Sequence, residues 1–245
     1  MTQDIQARKF YVRYREDLPE TEVMYGIWLG MDLLNVETAP FYWPDDIDKI
    51  EDLGPEVGVA GWLGDVWAGL RKLGKPIPPP LDYPEELREF LGREVHKTTL
   101  GHVRNMVEPI FVKPQEHKAF TGFVWKGDRE SRMRVVTQSS DMPVWVSDVV
   151  EFVAEYRSFM LYETIIDCRK YKGDWSKAPD RKVVEAAWKR YRKFAPAACC
   201  LDWGVTADGR TLMVEANDGI SFGGYGLPVV SHARMIAARW YEMTK

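Results

Sequence analysis

The chain has 245 residues, of which 45% are hydrophobic, 13% aromatic and 29% charged, a globular composition that excludes disorder, collagen-like repeats and coiled coil. Its 33 Lys and Arg against 37 Asp and Glu give a net charge of −4, which argues against a general nucleic-acid coat or a polybasic membrane binder. At roughly 150 residues per domain, the length suits one large domain or two small interlocked ones. Cys168, Cys199 and Cys200 form an odd, sparse set that fits a reducing compartment, with the thiols as small core groups. The N-terminus has no apolar signal region, and stretches such as Tyr25 to Leu34 fall well short of the ~18 residues of a membrane span. The expectation is a cytoplasmic protein with no membrane partner.

Residues 10–14 (FYVRY) read as a strand, and 21–34 as a helix with Met24, Ile27, Trp28, Met31 and Leu34 at helical spacing. Val57 to Ala60, followed by a helical pattern through Val66, Leu70 and Leu73, make a small βα unit. The run from Gly74 through Pro78, Pro79 and Pro80 is extended and semi-rigid. A boundary between a small unit, 1–80, and a larger one, 81–245, falls there. Pro84 opens a short helix that Gly92 stops, and a further helical stretch lies near 96–105. From Pro109 the texture is of strands, at 109–113, 122–126, 133–137, 143–153 and 155–166. Their partial period-two alternation suits an antiparallel sheet with one covered face. A helix at 180–194 carries a stripe of Val183, Val184, Ala187, Trp188 and Tyr191, and its Lys189, Arg190, Arg192 and Lys193 read as a solvated face. Strands at 197–206 and 210–217, a glycine-rich loop and a helix from 228 to 242 close the chain.

The most informative stretch is CCLDWGVTADGRTLMVEAND, because Asp-Gly between two strand-like runs signals a two-residue hairpin turn. With Asp208 and Gly209 as the turn, Asp202 falls opposite Glu215, and alternation adds Asn217 to their face. Trp203, Val205, Leu212, Val214 and Ala216 share the other face. Facing carboxylates repel, and a divalent cation between them resolves the conflict. Two carboxylates and a carboxamide with no His or Cys suit Mg²⁺ or Mn²⁺, with water and phosphate completing the shell. The alternative is an ordinary exposed face, one acid solvated and the other paired with Lys or Arg.

Lys113 ends an apolar strand, and a loop with Lys118 and Gly122 follows. Both lysines could hold polyphosphate by charge if the acidic hairpin lies opposite, or could snorkel. Arg157 stands mid-strand and wants an anion: a ligand, or Glu155 or Glu163. The run from Asp218 to Gly226 follows the acids at once, and its glycines permit close backbone approach to an anion. No Walker A loop, GxGxxG or GxSxG occurs. His96, His102, His117 and His232 lack metal spacing and read as surface or helix-face residues. Trp28, Trp43, Trp62 and Trp67 read as core or as lining of an acceptor groove, with core favoured at helical spacing.

From Pro109 to Tyr241 this combination resembles the ATP-grasp superfamily. FVKP with Lys118 in KAFTG resembles its first nucleotide-binding lysine strand and phosphate-covering flap. DVVEFVAEYRSF resembles the adenine hinge, with Asp148, Val150 and Glu151 as hinge and Glu155 as the ribose acid. LDWGVTADGRTLMVEAND resembles the metal strands, with Asp202, Glu215 and Asn217 as ligands. The two lysines, EYR and NDGISFGGYGL are most similar to a phage- and bacteria-associated clade named for one arginine and two lysines.

The resemblance implies an α+β fold in which antiparallel sheets clamp ATP after a small α/β N-terminal domain. It implies carboxylate–amine ligation: ATP phosphorylates a carboxylate, an amine attacks the acylphosphate, and an amide, ADP and phosphate result. An amino acid or peptide would be joined to a peptide, protein or small-molecule acceptor. Lys113 and Arg157 take the catalytic roles, the arginine meeting charge on the transferred group. Two other classes remain open: an ATP-dependent phosphotransferase on the same fold, and a non-enzymatic binding module using the aromatic-rich surface.

Overall fold

The computed structural model describes residues 5–116 and 119–245. In the N-terminal part, β1 (Lys9–Arg15) is followed by β2 (Leu18–Pro19), α1 (Glu22–Leu33), β3 (Glu37–Phe41), β4 (Val57–Ala60) and α2 (Leu63–Lys72). β1 pairs parallel with both β3 and β4, and β2 folds back antiparallel on its end. The Thr21 side chain caps α1 by accepting from Met24 N. β3 was not among the expected elements; its Pro40 is tolerated because, among the described strands, β3 bonds to β1 alone.

After the proline run, the expected short helix forms as a 3₁₀ turn over Glu85–Phe90, with Pro84 at its start and Gly92 just beyond it at φ 59°. Next come β5 (Val95–Thr99), α3 (Leu100–Val103), β6 (Ile110–Pro114), β7 (Phe123–Trp125), α4 (Arg129–Arg134) and β8 (Pro143–Ser147). The four strands form an antiparallel sheet in the order β5-β8-β6-β7. Two expectations are corrected here. The helical stretch near 96–105 divides, 96–99 belonging to β5, which pairs with β8, and 100–103 to α3. The strand at 133–137 is instead the end and exit of α4, whose Asp128 side chain accepts from Ser131 N and fixes a helix start.

The second antiparallel sheet has the order β10-β9-β11-β12, from β9 (Ala154–Leu161), β10 (Thr164–Gly173), β11 (Ala198–Val205) and β12 (Thr211–Asp218). α5 (Arg181–Tyr191) and α6 (Val229–Thr244) complete the chain. The expected strand 155–166 turns at Tyr162, φ 51°, and returns as β10, which the sequence reading missed.

β11 is buried along its whole length because the sheet is covered on both faces. Alternation divides it between two cores: Ala198 and Cys200 join β1, α1 and α6, whereas Cys199, Leu201 and Trp203 join α5 and the 3₁₀ turn. The first core is thus drawn from both sides of residue 80. α1 and α6 approach so closely that a Cβ on Gly30 would lie 2.2 Å from the Val229 carbonyl oxygen. A third, smaller core fills the β5–β8 sheet. Among the described residues no helix is long and apolar enough to cross a membrane.

Candidate functional site

A cleft of about 1550 Å³ is lined from both antiparallel sheets, by Lys113 of β6 and Ser147 of β8 on one side and by Glu155, Tyr171 and Glu215 of β9, β10 and β12 on the other. The segment joining β8 to β9 lines it as well, including the expected hinge residues Asp148, Val150 and Glu151. The expected strand 143–153 therefore ends at Ser147, and the residues beyond it leave the sheet to form the cleft wall.

Asp202 does face Glu215, but by a different route from the simple hairpin. Thr206 N donates to the Arg210 carbonyl at 3.0 Å and Arg210 N to Thr206 Oγ1 at 3.0 Å, leaving a three-residue loop. Gly209 sits at φ 86° in it, a position that glycine fills without strain. This loop moves the pairing by one residue, so that Trp203 faces Met213. A bulge at Val214 then restores the register, and Asp202 meets Glu215. Between turn and bulge the faces are inverted. Met213, not the expected Leu212 and Val214, joins Trp203 in the second core, while Ala216 beyond the bulge lies where expected.

The two acids have separate cationic partners. Arg157 faces Asp202 across β9 and β11 and donates to both its oxygens at 2.7 Å. Neither Glu155 nor Glu163 takes that role. Burial disfavours the Arg157 charge, but Asp202 outweighs it and holds the guanidinium above its ordinary value. The Lys113 ammonium lies 2.6 Å from Glu215 and 2.6 Å from Asp82. Burial would push Lys113 down; the two carboxylates push it above its usual range. Glu215, which burial alone would raise, is held below the ordinary carboxylate value by Lys113. Asn217 Nδ2 spans the pair, 3.1 Å from Asp202 and 3.3 Å from Glu215.

Glu155, the second residue of β9, lies at the cleft and accepts from Tyr171 OH at 2.9 Å and from Lys172 Nζ. Lys118 and His117 lie outside the described residues. In the glycine-rich loop, the Tyr225 ring stacks on Tyr171 at 5.0 Å and lies 5.2 Å from the Arg157 guanidinium. Ser221 Oγ donates to the Gly61 carbonyl at 3.2 Å, tying this loop to the end of β4. His232 lies on a face of α6, one of the two placements expected, and is buried there against Phe222 because the loop covers that side. Trp43 and Trp62 are exposed, and Trp28 and Trp67 pack against the first core.

Asp82, Trp145 and Arg93 escaped the sequence reading. Asp82 accepts from Lys113 and, at 2.8 Å, from Trp145 Nε1. Arg93 donates to the carbonyls of Met213 at 2.7 Å and Val214 at 3.0 Å. None stands in a spacing motif, since each reaches the site through a loop or the facing sheet.

Among the described residues no cluster of three or more His, Cys, Asp or Glu could alone hold a metal ion. The oxygen set is nonetheless of the right kind for a hard cation. Glu215 and Asn217 line the cleft, where phosphate and water could complete a shell. Asp202 is not among the lining residues, and Arg157 occupies both its oxygens.

The comparisons with known proteins agree with this architecture. A family model described as an ATP-grasp domain, family 2 of its clade, matches residues 90–235. No curated protein matches the sequence. D-cycloserine synthetase DcsG superposes with a TM-score of 0.57 at 14% identity, over 95% of this chain and 99% of that one. D-alanine–D-alanine ligase from Bacillus anthracis gives 0.58 at 13% identity, over 95% and 96%. The macrocyclase MdnC of Microcystis aeruginosa, bound with precursor peptide MdnA, gives 0.53 at 13% identity, over 94% and 97%. At such identities these likenesses speak for the fold. With its family model spanning more than half of the sequence, the chain belongs to the ATP-grasp domain family that the model describes, and it has the ATP-grasp fold.

Proposed function

We propose that this protein is an ATP-dependent carboxylate–amine ligase working in the cytoplasm, with 81–245 as its nucleotide-binding unit and 1–80 as the part beside the acceptor. The observation that carries the reading is the meeting of Lys113 from one sheet with Glu215 and Asn217 from the other, inside a cleft walled by the Asp148–Glu151 segment. The adenine lies against that segment, and Glu155 receives the ribose. Lys113 holds the phosphates, a role that the family resemblance extends to Lys118. Glu215 and Asn217 would hold Mg²⁺ or Mn²⁺ from the cleft side, with Asp202 joining them only on giving up an oxygen now held by Arg157, and the cation would supply neutralisation of phosphate charge. Arg157 braces Asp202 from behind and, with the glycine-rich loop, meets charge on the transferred group. The occurrence of this arginine and two lysines in these motifs would suit the phage- and bacteria-associated clade named for such residues.

Attack of the substrate carboxylate on ATP needs little proton transfer by a side chain, in keeping with a described cleft lining that contains no histidine. The neighbours named above include a synthetase, a ligase and a peptide-bound macrocyclase, which supports a small-molecule or peptide substrate pair. The test is a screen of amino acids and short peptides for ADP release, with mass spectrometry of the products. An amide product formed only when an amine is present is expected. ADP release with a phosphorylated product and no amine requirement would replace the ligase with a phosphotransferase. A protein whose melting temperature ignores ATP with Mg²⁺ would be a binding module, since a ligand at 100 times its Kd adds about 2.7 kcal/mol.

A further inference from the structure

Asp82 stands just beyond the proline run, outside both antiparallel sheets, yet it touches each. Its carbonyl accepts from Ala216 N at 2.8 Å, a bridge to the free edge of β12 between Glu215 and Asn217. Its Oδ1 accepts from Lys113 Nζ at 2.6 Å, on β6, and its Oδ2 from Trp145 Nε1 at 2.8 Å, on β8. The backbone at Asp82 is left-handed, φ 46°, which aspartate tolerates better than most residues. The neighbouring Tyr83 ring lies 5.3 Å from the Lys113 ammonium. One residue thus ties the linker to three strands, its backbone carbonyl holding β12 and its side chain holding β6 and β8.

Lys113 is shared between two carboxylates, and its flexible stem has no orientation of its own. Under the ligase reading, Glu215 turns to a cation when nucleotide enters and is lost to the lysine as a partner. We infer that Asp82 is a positioning residue: it holds the Lys113 ammonium at the phosphate end of the cleft, so that the lysine stays in place when Glu215 is engaged elsewhere. Its second bond, to Trp145, fixes the carboxylate plane, and the bridge to Ala216 fixes its distance from β12. The sheets themselves need no such residue, because each is complete in its own ladder. The inference rests on the assignment of Lys113 to the phosphates, and the test separates the two.

Affinity for Mg-ATP is measured calorimetrically for the full chain, Asp82→Asn, Lys113→Ala and the double variant. Asparagine keeps the size, one acceptor oxygen for Trp145 and the tolerance of a left-handed backbone, and removes both the charge and the acceptor facing Lys113. Asp82→Asn should weaken Mg-ATP binding by about tenfold, leave AMP binding unchanged, and have no further effect when Lys113 is already alanine. Trp145→Phe, which frees Oδ2 without altering any charge, should give a smaller loss that also vanishes in the Lys113→Ala background. It serves as the readout if Asp82→Asn does not fold. Equal losses with and without Lys113, or no loss in either variant, would overturn the inference and leave the ligase reading standing. Unchanged Mg-ATP affinity in Lys113→Ala alone would overturn the phosphate assignment, and the role of Asp82 with it.

Discussion

Arg93 and Val214 meet at the bulge that sets the site: Nη2 of the arginine donates to the carbonyl of the extra residue at 3.0 Å, and its Nη1 reaches the Met213 carbonyl at 2.7 Å. The same guanidinium contacts Ser147 Oγ on the facing sheet at 3.3 Å. Arg93→Met should therefore leave the bulge carbonyls unpaired and cost about 2–3 kcal/mol in urea unfolding. Because the bulge restores the Asp202–Glu215 register, the variant should also lose the thermal shift produced by Mg-ATP. A variant that keeps that shift in full would separate the bulge from the site.

Arg157 and Asp202 form a buried, two-pronged ion pair. Arg157→Ala leaves a buried carboxylate without its partner, and such losses run to about 3–5 kcal/mol. The denaturant midpoint should fall accordingly. If turnover vanished while the midpoint stayed, the arginine would belong to the reacting phosphate and not to the frame behind it.

Glu215→Gln removes a carboxylate that faces the cleft but keeps its shape. Lys113 retains Asp82, and repulsion with Asp202 is relieved, so stability should stay within about 1 kcal/mol of the parent. ATP turnover should fall to background in a coupled ADP assay. A normally active variant would remove Glu215 from the metal set.

His232 gives the fold a pH dependence of known sign. Burial pushes its imidazole from 6.5 down to about 4, and its Nε2 has no partner among the described residues. The unfolded chain takes up a proton below about 6.5, whereas the folded one does so only near 4. The contribution of this group is full above that window and is lost as pH falls through it, reaching about 3 kcal/mol. Unfolding free energies measured from pH 7 to 4 should show this slope, and His232→Leu should flatten it. An identical slope in the variant would assign the effect to other groups.

Much of the fold was legible where local signals were strong. β1, α1, β4, α2, α5 and α6 follow from periodicity and breakers, because each buries one face and its apolar spacing records which. Elements fixed by partners were not. β3, β5 and β10 exist because a neighbouring strand pairs with them, and their own residues carry little alternation. At 133–137 an Asp cap overrode a run of strand-forming side chains.

The site divides in the same way. The facing of Asp202 and Glu215 could be counted from the Asp-Gly turn, although the count holds only because a longer loop and a bulge offset one another. Hairpin partners are near neighbours in sequence, so their relation survives in spacing. Asp82 and Arg93 come instead from loops and act through β6, β8 and β12, and no period along the chain encodes distances between separate sheets. What the sequence by itself determined was the kinds of groups available: oxygen-rich strands, lysines at a strand end and a glycine-rich exit. Which carboxylate holds which cation was decided by the tertiary structure, because the strength of an ion pair depends on separation and burial, and folding alone sets both.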